Sequence, residues 1–108
     1  MSDINYFGGI VKLLEIPAIK LNKKEIPYTS FRVQLSQIRL KKSKSILTIL
    51  AYGNLANDIV KYYRINDYIL IEGYLSVKKK LTTKKIIKSS VEIKLFKIFP
   101  FFLNSKSL

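Results

Sequence analysis

The chain contains no cysteine and no histidine, and these two absences remove more chemistry than any motif adds. Without cysteine there is no disulfide and no thiolate nucleophile; without histidine there is no imidazole base; without both there is no Cys/His zinc site. Acidic groups are scarce too. Asp3, Glu15, Glu25, Asp58, Asp67, Glu72 and Glu92 are scattered, with no paired spacing for acid–base work, and the four glycines form no phosphate-cradling loop. Enzyme chemistry, a metal and a cofactor are therefore not expected. Residues 1–5 lack the basic start and apolar core of a signal peptide and the Arg/Ser-rich, acid-poor character of a transit peptide. Charges interrupt every long apolar run, which argues against a spanning helix.

What is present is apolar and basic. A length of 108 residues suits one domain, and 48% hydrophobic content argues against disorder. Twenty Lys and Arg against seven acidic residues leave a formal charge of +13, a field that favours polyanions, nucleic acid first and acidic membrane surface second. Lysine outnumbers arginine 17 to 3, and Ile, Asn, Tyr and Phe are abundant, the bias an AT-rich genome produces without selection for binding. That bias does not explain where the lysines fall. They cluster at Lys41, Lys42 and Lys44, at Lys78, Lys79 and Lys80, and at Lys84 and Lys85, where the strand pattern leaves loops.

Residues 4–14 read as a strand whose Gly8-Gly9 pair predicts a bend or bulge, letting one strand serve both sides of a closed barrel. Residues 16–21 read as an irregular extension and residues 22–25 as a hairpin turn. After Pro27 a second strand puts Phe31, Val33 and Leu35 on the core face and Ser30, Arg32, Gln34 and Ser36 on the other. Near Ile38 and Leu40 the apolar positions shift, which predicts a bulge, a change of face or a subunit contact. Residues 46–52 form an apolar β-branched strand ended by Gly53, and Asn54 stands where a helix N-cap belongs. In the helix that follows, Leu55, Ala56, Ile59, Val60 and Tyr63 share one face. Residues 68–77 alternate again, with Ile69, Ile71, Leu75 and Val77 against Glu72, Tyr74, Ser76 and Lys78. Residues 78–85 read as a basic loop, and residues 86–99 as the last strand.

Five strands with one helix between the third and fourth is the order of an all-β OB-fold, a five-stranded Greek-key barrel that binds oligonucleotides on one side. The expected organisation is an OB domain over residues 1–99 and a short apolar and basic tail over residues 100–108. The string Ala51-Tyr52-Gly53-Asn54-Leu55-Ala56, the helix ending Tyr62-Tyr63-Arg64, and Asp67-Tyr68-Ile69-Leu70-Ile71-Glu72-Gly73-Tyr74-Leu75 resemble the bacterial-type single-stranded-DNA-binding proteins, a family whose fold primosomal replication protein n shares. There an aromatic-Gly-x-Leu-Ala turn opens the helix and a Gly-Asp-x-Val-x-Val-Glu-Gly-x-Leu strand follows. The resemblance spans about residues 4–99, with matching residues in the central third. Asn66 replaces the usual Gly and tolerates the same turn.

The resemblance implies that Tyr52, matching the aromatic of the turn, contacts single-stranded DNA. Binding without sequence preference needs planar side chains for stacking and cations that follow the phosphates. The candidate residues are Tyr52 and Tyr74 for stacking, and Arg32, Arg39, Lys41, Lys42, Lys44, Lys78, Lys79 and Lys80 for phosphate. Tyr52 also suits packing at the barrel rim, Tyr74 a contact between subunits, and the lysines a solvated surface. Better-known members carry tryptophans near Ile46 and Lys80, and this chain has none. Losing platforms worth ~1–3 kcal/mol each implies weaker, more electrostatic binding. The family's acidic C-terminal tail is also missing, so partner recruitment through it is not expected.

The function expected is non-enzymatic binding of single-stranded DNA in support of replication, recombination or repair, by a homodimer or homotetramer. RNA binding and a structural adaptor that has lost its ligand are the alternatives, with a peripheral membrane role for residues 94–102 behind them. Phe96, Phe99, Phe101 and Phe102 are expected in the core or a subunit interface. Coding bias and resemblance together point to the plastid stroma, ahead of a bacterial cytoplasm.

Overall fold

Alternation of apolar and polar residues over most of the chain dictates strands, and the computed structural model has strands in order around one helix. It describes residues 5–35, 46–81 and 87–103, and the side chains of all of these except residues 78–81 and 87–89. The described elements are β1 Tyr6–Leu13, β2 Lys20–Leu21, β3 Pro27–Leu35, β4 Ile46–Tyr52, α1 Gly53–Tyr62, β5 Tyr68–Leu81 and β6 Ile87–Phe102. Strands run in the order β1-β5-β6-β4-β3, and β1 closes the ring by pairing Val11, Lys12 and Leu13 with Leu35, Gln34 and Val33. The β4–β6 pairing is parallel and the others antiparallel. This is the expected OB-fold, with β2 a two-residue flap on the outer edge of β3.

Inward positions make the core. Val11, Leu13, Phe31, Val33, Ile49, Ala51, Ile69, Ile71 and Ile93 are buried inside the barrel. The helix packs on β3 and β4 and closes one end, burying Ala56 and Ile59. Leu75 is only half-buried and Val77 is exposed, because β5 has by then left the barrel. Thr29 and Asp67 are the buried polar residues among those described. The Thr29 hydroxyl has no hydrogen-bond partner among the described residues.

The helix does not start as expected from Asn54. Tyr52, in extended conformation, holds the cap position without a side-chain cap bond, and Gly53 makes the turn at φ +65°. The left-handed conformation of the glycine turns the chain from β4 into the helix, so no polar cap is needed to set the direction. At the far end Asn66 adopts φ 72°, as its residue type permits. The backbone N–H of Arg64 donates to Asp67 Oδ2 at 2.8 Å, Asn66 N–H to the Leu13 carbonyl at 2.9 Å, and Leu13 N–H to the Asp67 carbonyl at 2.9 Å. The turn is thereby tied to β1. Burial, with the Asp67 charge adding to it, pushes the nearby Tyr63 phenol above its ordinary pKa.

Three expectations about irregularity are revised. Strand β1 does serve two neighbours, yet its register with β5 is unbroken from Tyr6 to Lys12, so no bulge lies at Gly8-Gly9. Two breaks fall in β6 instead: Tyr68 opposes Phe102 and Ile69 opposes Pro100, leaving Phe101 extra, and Glu72 opposes Lys97 and Gly73 opposes Leu95, which leaves Phe96 as the extra residue of a bulge. Gly73 permits this close approach, since a Cβ there would lie 2.5 Å from the Lys94 carbonyl oxygen and 2.6 Å from Ile93 Cγ2. Lys78, Lys79 and Lys80 are not in a loop; they continue β5, opposite Ser90, Ser89 and Lys88. A two-stranded ladder satisfies its backbone groups whatever the side chains, so the hairpin outruns the barrel. Strand β6 likewise runs through Pro100 to Phe102. The irregularity expected near Ile38 and Leu40 lies outside the described residues.

Candidate nucleic-acid interface

Outward-facing residues of neighbouring strands line up in rows, because direct cross-strand partners share a face. One row crosses the wall as Ser30, Leu50, Lys94, Tyr74 and Tyr6; the next runs Arg32, Thr48, Glu92 and Ser76. Beside the Ser30–Leu50 end of the first row, Tyr28 and Tyr52 are directly paired in a row of their own, with ring centroids 6.0 Å apart. Lys94 reaches over the Tyr52 ring, its Nζ 5.5 Å from the centroid. A cation held there adds a positive charge to an aromatic surface that is 39% exposed.

Below this pair lies a cleft of about 350 Å³, lined by Lys20, Asn22, Tyr28, Ser30, Leu50, Tyr52 and Glu92. Its β2–β3 turn is fixed by Asn22: Oδ1 accepts from Lys24 N–H at 2.8 Å and Ile26 N–H at 2.9 Å, while the Asn22 N–H donates to the Ile26 carbonyl and its carbonyl accepts from Glu25 N–H. Glu25, at φ 63°, completes the turn. Strand alternation aims Tyr28 and Ser30 outward, and Lys20 sits beside Tyr28 as its direct partner on β2.

A second aromatic group occupies the other end of the row. The Phe96 ring lies 5.0 Å from Tyr74 and 6.1 Å from Tyr6, and Tyr74 is 50% exposed. The bulge brings Phe96 alongside both tyrosines. The Tyr6 phenol has its pKa raised, by desolvation first and then by the Glu72 carboxylate, so an acidic group borders this patch.

Arg32 is placed on the outer wall as expected, but it is not an unpaired cation. Its Nε donates to Glu15 Oε2 at 2.6 Å and its backbone N–H to Glu15 Oε1 at 2.9 Å. Those bonds hold the Glu15 carboxyl below its ordinary pKa, the backbone donor contributing most. Tyr52 and Tyr74 are both exposed on the wall, Tyr52 paired with Tyr28 and Tyr74 with Lys94 and Tyr6, so they lie in different cross-strand rows. Lys78, Lys79 and Lys80 lie on the part of β5 beyond its pairing with β1, opposite Ser90, Ser89 and Lys88 of β6, and none of them lines the cleft. Arg39, Lys41, Lys42 and Lys44 lie outside the described residues.

Tyr28 and Lys94 are the residues that sequence reasoning missed. Tyr28 continues the Ser30, Arg32 alternation one step back, directly after Pro27. Lys94 joins Tyr52 only through the parallel β4–β6 pairing, which no local pattern announces. Of the two places expected for the four phenylalanines, the core is ruled out, since Phe96, Phe99, Phe101 and Phe102 are all exposed in the single chain, and the subunit interface is the one left.

No family model matches the chain. Among curated sequences it is similar to the ycf41 protein of Trieres chinensis, named as a single-stranded DNA-binding protein, with 38% identity over 108 residues, 97% of this chain and 96% of the relative. A thylakoid-associated single-stranded DNA-binding protein of Synechocystis sp. is 29% identical over 75 residues, 68% of this chain and 58% of that one. Solved structures with this fold include a small single-stranded DNA-binding protein from Streptomyces coelicolor, at TM-score 0.79 and 14% identity over 93% of this chain and 96% of that one. The mitochondrial single-stranded DNA-binding protein of S. cerevisiae matches at TM-score 0.78 and 10% identity, over 95% of this chain and all of the other. The identity and near-complete mutual coverage with the Trieres protein decide the kinship: this chain belongs to the ycf41-type family of single-stranded DNA-binding proteins.

Proposed function

We propose that the chain binds single-stranded DNA without catalysing a reaction, stacking bases on Tyr52 and Tyr28 while Lys94 and the lysines of the outer wall and hairpin meet the phosphates. The observation that carries this reading is the Tyr28–Tyr52 pair with Lys94 above it, open to solvent beside a cleft. An aromatic surface gives a sequence-tolerant platform, and the cation suits the phosphate that follows a stacked base. A net charge of +13 supplies the long-range attraction. Kinship to ycf41 supports DNA as the ligand and a role in the handling of template strands.

Assembly is the second part of the proposal. Tyr6, Tyr74 and Phe96 form an exposed apolar surface on β1, β5 and β6 that a second copy of the chain would cover, giving a homodimer or a homotetramer. Work in the plastid stroma is supported by the plastid-type relative and the thylakoid-associated one.

The test is anisotropy of labelled oligo-dT, oligo-U and a duplex of matched length, each titrated across a salt series. Preference for oligo-dT over duplex that persists at high salt supports stacking. Equal binding to all three that vanishes steeply with salt reduces the interaction to counterion release and overturns the proposal. Stronger binding of oligo-U than of oligo-dT would move the assignment to RNA.

A further inference from the structure

We propose that Lys20 and Lys94 clamp the two phosphates flanking a dinucleotide whose bases stack on Tyr28 and Tyr52. The inference rests on the single-strand reading above; it adds Lys20 as a binding residue and fixes the number of nucleotides between the two cations.

Four neighbouring strands of the wall, β6, β4, β3 and β2, present a lysine, a tyrosine, a tyrosine and a lysine in that order. Lys20, Tyr28 and Tyr52 are direct cross-strand partners, so their side chains leave the sheet on one face, and all three line the cleft. Lys94 comes to Tyr52 from the opposite side, across the parallel pairing of β4 with β6. The aromatic pair thus has an ammonium on each flank. No ion pair joins either lysine to another described residue. The carboxylates nearby are engaged elsewhere: Glu15, which feels the Lys20 charge, is bonded to Arg32, and Glu92 of the lining has a partner in the fold.

Spacing sets the length of the ligand. The ring centroids are 6.0 Å apart, well beyond the ~3.4 Å between stacked bases, so each ring takes a base of its own. The phosphates outside such a pair are separated by two drawn-out steps, about 12 Å, against the ~3.4 Å step of a stacked strand. Neighbouring strands lie ~4.8 Å apart, which puts Lys20 and Lys94 three spacings, about 14 Å, from each other across the sheet. The match is to the outer phosphates of a dinucleotide, not to adjacent ones. Asn22 holds the Lys20 side of the clamp in place. Its Oδ1 accepts from two backbone N–H groups, and its own N–H and carbonyl are bonded within the turn, so the flap is set before a ligand arrives.

An oligonucleotide of abasic sites with one central thymidine pair fixes the register, because only two bases are available to the rings. Replacing one phosphate at a time by an uncharged methylphosphonate then reads each contact. In the parent, neutralising the linkage on either side of the pair is expected to cost about threefold in affinity, the scale of an exposed ion pair, and neutralising the linkage between the thymidines less than about twofold. Lys20→Met should abolish the loss at one outer linkage and Lys94→Met the loss at the other, which also reads the direction of the strand. Lys61→Met, on the helix, should leave all three losses as in the parent. Equal losses at the three linkages, or outer losses that persist in both clamp variants, overturn the clamp, and a preference of the parent for oligo-dT over duplex then leaves single-strand binding standing. A thymidine pair that adds nothing to the abasic strand overturns the clamp as well; if oligo-dT also binds no better than duplex, the single-strand reading falls with it.

Discussion

The two aromatic groups on the outer wall are both built around tyrosines and lie in neighbouring cross-strand rows, yet their surroundings differ. Tyr28 and Tyr52 flank a cleft and lie beneath a lysine. Tyr6, Tyr74 and Phe96 pack against one another, and the Glu72 carboxylate bears on Tyr6. Each setting has a carboxylate, Glu92 in the cleft lining and Glu72 beside Tyr6, so what draws a polyanion to the first is the lysine over its ring. A flat apolar trio bordered by charge suits another protein surface, where aromatic residues are enriched and the rim is polar. Aromatic content alone therefore says little about a site. The cation over the ring and the cavity are what separate the proposed stacking platform from the proposed assembly surface.

The bluntest way to break the comparison is Gly73→Ala, because the added Cβ strikes backbone of β6 between the two groups. We expect a loss of about 3 kcal/mol, since overpacking against backbone is at the costly end. Thermal unfolding should fall by on the order of 15 °C, and binding and assembly should decline together. A melting curve unchanged by this substitution would mean that the bulge relaxes freely.

Paired alanine variants sharpen the contrast. Tyr52→Ala should weaken oligo-dT binding by about tenfold, within the ~1–3 kcal/mol of a stacked base, without changing the molar mass in light scattering. Tyr74→Ala should leave oligo-dT affinity within about twofold, a change too small for a lost platform, and shift the molar mass downward. If Tyr74→Ala costs as much binding as Tyr52→Ala, both groups carry bases and the distinction collapses.

Thr29→Val touches neither group and calibrates both. Replacing a buried, unsatisfied hydroxyl by a methyl of the same shape should raise stability by about 1 kcal/mol with oligo-dT affinity unchanged. A loss of stability on chemical denaturation would reveal that the hydroxyl is satisfied in solution.

The smallest effect is expected at Glu15→Gln. The Arg32–Glu15 pair is exposed, with 60% and 36% of the two side chains accessible, so solvent screening limits it to well under ~1 kcal/mol. Its pH dependence has a definite sign. The folded-state pKa of Glu15 is depressed, so the contribution is present above the unfolded-state value and is lost as pH falls through the lowered one. The parent should lose this increment in acid and the variant should not. Freed of its partner, Arg32 should steepen the salt dependence of oligo-dT binding slightly, by less than one phosphate contact, a slope change of ~0.7 at most.

Much of the fold was legible because the signal was local. Alternation at Phe31 and Val33, the break at Gly53, and the positive-φ tolerance of Asn66 each belong to a few neighbouring residues. Tyr52 was legible from its motif. Lys94 was not, because its nearness to Tyr52 arises from a parallel pairing between strands about 40 residues apart. Phe96 was obscured by the bulge, which upsets the period-2 pattern at the point where it would have been counted. The lysines of 78–80 were misplaced because composition suggested a turn, whereas backbone pairing continued the ladder.

Strand β1 has a consequence for how the protein is made. Its principal partner, β5, lies about 60 residues further along the chain, and its contact with β3 involves only Val11, Lys12 and Leu13. During synthesis the first strand must wait, its apolar side uncovered, until nearly two-thirds of the polypeptide has left the ribosome. Pairings of such long sequence separation form slowly, on the ms–s scale typical of small barrels. The nascent chain is thus aggregation-prone in that interval, and the barrel is complete only once β6, the last strand made, has paired with β5 and β4.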